Sequence, residues 1–103
     1  MSLNLAEKIE SSVKRLFPSL SPEQALVELL LERAQRNLVK YQVAARRFEA
    51  KYHQDFLTFR KQILQSEPDF ELEQDYFEWE MAVTGITDMT EEIERLRRPI
   101  SQS

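Results

Sequence analysis

Apolar residues along this chain recur with the 3-and-4 rhythm of helices, not with the alternation of strands. Leu5, Ile9, Val13 and Leu16 fall on one face of a first helix predicted over residues 3–17 and closed by Pro18. Ser21 then reads as an N-cap, with Pro22 at the first helical position and Gln24 completing a capping box. From Pro22 no Gly or Pro intervenes before Pro68, so a second helix is expected to run to about His53. Along it Val27, Leu31, Ala34, Leu38, Tyr41, Ala45, Phe48 and Tyr52 recur at alternating spacings of 4 and 3, a coiled-coil seam.

A short third helix is expected over about 55–65, with Phe56, Phe59 and Ile63 on one face. Pro68 biases Glu67 away from helix and marks a break. The fourth helix is predicted over about 71–98, ended by Pro99, with Leu72, Tyr76, Trp79, Val83, Ile86, Thr90 and Ile93 repeating the seam rhythm. Acids in its first turns and Arg95, Arg97 and Arg98 in its last suit the helix dipole. Gly85 lies off the seam, where a kink or a close helix contact is expected. The fold class is therefore all-α: one domain over 1–103, a long antiparallel helical hairpin with a short N-terminal helix, a short connecting helix and a flexible tail over about 99–103.

Antiparallel alignment of the seams puts Tyr52 opposite Leu72, Ala45 opposite Trp79, Leu38 opposite Ile86 and Leu31 opposite Ile93. The flanking positions then bring Leu30 to Leu96, Ala44 to Ala82 and Lys51 to Asp75. A small residue opposite the single Trp is what dense packing asks for. The pattern leaves open whether this pairing lies within one chain or between two.

Composition agrees with helices, since 103 residues hold one Gly and four Pro. The absence of Cys excludes disulfides and thiolate metal sites. No stretch resembles a secretory leader or a membrane span, so a soluble, cytoplasmic protein with no membrane partner is expected. Charge changes the picture more. Residues 33–61 carry eight Lys or Arg against Glu49 and Asp55, a balance of +6, whereas residues 67–94 carry eleven acids and no Lys or Arg. The basic stripe is Arg33, Arg36, Lys40 and Arg47, with Arg46 beside it. Its field would be cancelled by the acidic helix, so intramolecular neutralisation or an acidic protein is favoured over nucleic acid alone.

Catalytic chemistry finds few parts. His53 is the single His, near a helix end and among packing residues. Glu71, Glu73, Asp75, Glu78 and Glu80 lack the Glu-x-x-His pairs of helical di-metal sites. There is no Gly-rich phosphate loop and no nucleophile elbow. The expectation is a non-enzyme without cofactor or metal. Phe70, Phe77 and Met81, and likewise Leu29, Val39 and Val43, lie off the seams. The first and third helices are expected to cover them, the alternative being a partner-binding or dimer surface.

The segments Phe48–Phe59 (FEAKYHQDFLTF) and Asp75–Glu80 (DYFEWE) resemble small prokaryotic proteins that carry an FE-KY stretch followed by a DYFEWE helix. These are the antitoxin-like partners encoded beside TumE-type toxins, and the resemblance spans roughly residues 40–96. It implies a cytoplasmic protein that binds and restrains a toxin with a basic surface. Asp75, Tyr76, Phe77, Glu78, Trp79, Glu80 and Met81 mark the implied contact region, although Tyr76 and Trp79 are also seam positions. The alternative is a self-associating helical structural or adaptor protein, a homodimer among its forms.

Overall fold

Residues 4–99 are described by a computed structural model of the protein. They form four helices: α1 (Leu5–Leu16), α2 (Pro22–Tyr52), α3 (Phe56–Leu64) and α4 (Phe70–Arg97). Each boundary has a local cause. The Ser21 hydroxyl accepts from the Gln24 N–H at 3.1 Å while the Gln24 side chain accepts from the Ser21 N–H at 2.8 Å, the capping box the sequence predicts. Asn4, Asp55 and Asp69 cap the other three helices by accepting from the N–H of Glu7, Thr58 and Leu72. Each occupies one of the orphan donors of a helix start. The tail expected over 99–103 lies outside the described residues beyond Pro99, and so does Leu3.

His53 ends α2 in the left-handed region, with φ 54° and ψ 39°, and its N–H donates to the Glu49 carbonyl at 2.8 Å. A Cβ is unfavourable in that conformation, where Gly is the usual residue. His53→Gly is therefore expected to raise the unfolding free energy by about 1 kcal/mol, read from urea melts. A loss of stability would show that the imidazole contributes packing which its exposed position does not suggest.

The two long helices pack against each other as an antiparallel hairpin within one chain. Lys51 Nζ sits 2.6 Å from Asp75 Oδ2, and the Tyr41 ring lies against Gly85. Both pairs belong to the flanking alignment that sets Ala44 opposite Ala82. The close helix contact expected at Gly85 is thus present, and a Cβ there would meet three ring atoms of Tyr41 at 2.6 Å.

The core is concentrated where α2, α3 and α4 meet. Ala45, Phe48, Phe59, Ile63, Tyr76, Trp79 and Ala82 form one buried cluster, with Tyr52, Phe56 and Leu72 packed against it. Trp79 is its centre, with ring centroids 5.0 Å from Phe59, 5.5 Å from Phe56 and 5.7 Å from Phe48. Elsewhere the hairpin is thin. The molecule measures 64 × 36 × 21 Å with a radius of gyration of 20.3 Å, against about 13 Å for a compact chain of this length.

Asp75 is the buried acid of this core. Its Oδ2 accepts from both Lys51 Nζ and the Tyr52 hydroxyl. Burial pushes the carboxyl up, but these two donors outweigh burial and hold it below the usual carboxylate range. Burial and the bond to Asp75 push the Tyr52 phenol up, and the bond to Asp75 does the same for Lys51. A carboxyl lowered by folding contributes stability that is present above about pH 4 and is lost as pH falls further. The raised Tyr52 and Lys51 contribute below about pH 10 and lose that contribution above it. Asp75→Asn is expected to cost about 1 kcal/mol near neutrality and to flatten the acid limb. Urea melts at a series of pH values check this, and an acid limb unchanged in the variant would assign the pH dependence to other carboxylates.

Candidate functional site

The side of α4 turned away from the hairpin is built by the same periodicity that fills the core. At 100° per residue, Phe70, Phe77 and Met81 lie within about 40° of one another, roughly opposite the seam residues Trp79, Val83 and Ile86. Because the seam is satisfied by α2 and α3, no other helix covers these three side chains, although the Phe77 ring rests against Tyr76. Phe77 is 51% exposed and Met81 69%, and Phe70 is more exposed still. Glu73, Glu78 and Glu80 border them. Glu80 is half-buried and accepts from the Tyr76 hydroxyl at 3.3 Å, while Glu73 and Glu78 are exposed.

The stretch Asp75–Met81, expected from the sequence to meet a partner, is split by the fold. Phe77, Glu78, Glu80 and Met81 present surface. Asp75, Tyr76 and Trp79 are buried in the core, Trp79 being only 1% exposed. Their inward placement follows from the seam, and Asp75 is drawn in by Lys51 and Tyr52. Sequence reasoning paired Asp75 with Lys51 but missed the Tyr52 hydroxyl, for which only its position next to Lys51 gave a signal.

The outer side of α2 is the counterpart. Val39 and Val43, one turn apart, are 56% and 50% exposed, and Arg33, Arg36, Lys40, Arg46 and Arg47 surround them, all exposed. Direct pairing of this stripe with the acidic helix is not seen. Among the described residues none of these five cations makes an ion pair, and the one cation of α2 that reaches α4 is Lys51, bound to Glu71 and Asp75. The reason is geometric: both charge sets lie opposite their seams, so closing the seams turns them to opposite edges of the hairpin.

The expected covering by α1 and α3 is met in part at Leu29 and fails at Val39, Val43, Phe70, Phe77 and Met81. α1, 12 residues long, reaches only the first turns of α2, where Ala25 is fully buried and Ile9, Val13, Leu26 and Leu29 line an apolar groove of about 290 Å³. α3 directs Phe56, Phe59 and Ile63 into the Trp79 cluster and leaves Leu57 and Leu64 exposed. Among the described residues no group of three or more His, Asp or Glu is placed to hold a metal ion, and no helix is long and apolar enough to cross a membrane.

No protein-family model, curated protein or solved structure matches this chain.

Proposed function

We propose that this chain is a non-enzymatic protein-binding module whose recognition surface is the outer face of α4. One observation carries the reading: Phe77 and Met81 stand exposed among Glu73, Glu78 and Glu80 on a helix whose other face packs into the core through Tyr76, Trp79 and Ala82. Large apolar side chains rimmed by one sign of charge are the composition of an interaction surface, with apolar contact supplying affinity and the acids selecting a basic partner. The fuller proposal is an antitoxin-like role, in which the acidic face covers the basic surface of a toxin. The likeness of Phe48–Phe59 and Asp75–Glu80 to antitoxin-like proteins supports that role.

Co-expression with the product of the adjacent gene tests it. The expected result is a complex that survives purification and relieves growth inhibition caused by that product alone. No complex and no relief would sink the antitoxin-like role.

A further inference from the structure

The two unpartnered faces of this molecule complement each other. On α2 the stretch 33–50 lies beyond the reach of α1 and displays Val39, Val43 and five cations. On α4 the stretch 70–87 displays Phe70, Phe77, Met81 and acids. Each is about 27 Å long at 1.5 Å per residue. Laid antiparallel, the way α2 and α4 already pack inside the chain, a single offset that sets Val43 opposite Phe77 fixes all the rest. Val39 then meets Met81 and exposed Ala50 meets Phe70, while along one flank Lys40 faces Glu78 and Arg47 faces Glu71. Small or β-branched residues oppose large ones, and both charged pairs have opposite sign. Within one chain these faces cannot meet, because they occupy opposite edges of the hairpin.

We propose that the basic valine face of α2 on one copy docks on the acidic aromatic face of α4 on a second copy. The contact is heterologous, so each bound copy keeps one face free and assembly grows with concentration unless a ring closes. Two single-helix faces make an interface at the small end of the specific range, which places the association at micromolar concentration and makes it salt-sensitive. The inference goes beyond binding of a foreign partner and does not depend on it. Both occupants use the same α4 face, so each excludes the other.

Sedimentation velocity at low salt, from roughly 5 to roughly 200 µM of the full chain, tests the docking. The wild type is expected to gain average mass by at least about 1.5-fold across that range, and to lose the gain in high salt. Lys40→Glu with Arg47→Glu reverses the basic flank of α2, and Glu71→Lys with Glu78→Lys reverses the acidic flank of α4 that faces it. Each double variant alone is expected to stay monomeric, and their equimolar mixture to associate again. Phe77→Ser with Met81→Ser, which leaves every charge in place, is also expected to stay monomeric. Circular dichroism midpoints close to wild type confirm that these surface changes leave the fold intact. A wild type monomeric throughout, a mixture that stays monomeric, or charge-reversed variants that associate like wild type would overturn the proposal. A monomeric wild type whose basic face instead shifts duplex DNA at moderate salt would assign α2 to nucleic acid and also overturn it. A monomer that still retains the neighbouring gene product defeats this docking alone, whereas an associating chain that retains no such product defeats the antitoxin-like role alone.

Discussion

Trp79→Ala is expected to lower the unfolding free energy by about 4 kcal/mol, the largest effect of any single truncation in this chain. Trp79 is the largest fully buried side chain and touches every element of the aromatic cluster. It stacks on Phe48 and Tyr52 of α2, with Tyr52 at a centroid distance of 6.2 Å, and meets Phe56 and Phe59 of α3. Removing the indole leaves a cavity at the one point where three helices converge. The rest of the hairpin is too thin to close around it. Domains of this size hold only about 5–15 kcal/mol in total. A loss of about 4 kcal/mol lowers the melting temperature by roughly 20 °C. Circular dichroism melts measure the change without relying on the lost fluorophore. Trp79→Phe, which keeps an aromatic ring in place, should lose less than half as much. A loss below about 1 kcal/mol for the Ala variant would mean that the core lies elsewhere.

The second large effect has an unusual sign. Ala in place of a mid-helix Gly ordinarily stabilises by about 1 kcal/mol. At Gly85 it is expected to destabilise by about 2 kcal/mol, because the new methyl would sit 2.6 Å from Cγ, Cδ2 and Cε2 of Tyr41. Cγ is the root of the ring, so a twist of the ring alone does not relieve the clash. Either Tyr41 changes rotamer or α2 and α4 separate. The sign should reverse in a Tyr41→Ala background, where the methyl meets no ring and helix propensity prevails. A double-mutant cycle from urea melts reads this directly. Stabilisation by Gly85→Ala in the wild-type background would show that the helices part at no cost.

Much of this fold is legible in the sequence because the cues are local. The capping box at Ser21, the prolines at 18, 68 and 99 and the two seams place every helix end within two residues. The flanking alignment anticipates the Lys51–Asp75 bond, and the lone Gly off the seam signals a close contact at Gly85 without identifying Tyr41 as its neighbour. The caps at Asp55 and Asp69 lack a Glu or Gln three residues on, which made them less conspicuous, whereas Asn4 has Glu7 there and carries the same signal as Ser21.

What periodicity does not supply is the neighbour. The angles of Val39, Val43, Phe77 and Met81 about their axes are fixed by the sequence, but whether another helix covers them depends on where short α1 and α3 dock. α1 is spent on Ala25 and Leu29, and α3 on Trp79, so the outer faces stay bare. Charge misleads in a related way. Opposite net charges on two helices suggest mutual neutralisation, yet charges placed opposite the seams are driven apart when the seams close. Lys51 and Asp75 pair because they flank the seams.

On the proposed function α4 divides its labour, one face building the core and the other binding protein. Phe77→Ser with Met81→Ser tests it most directly when thermal midpoint and retention of the adjacent gene product on co-purification are measured side by side. The account predicts a midpoint within a few degrees of wild type together with loss of the retained partner. A double variant that keeps its partner in full, or one that loses its fold, would contradict it.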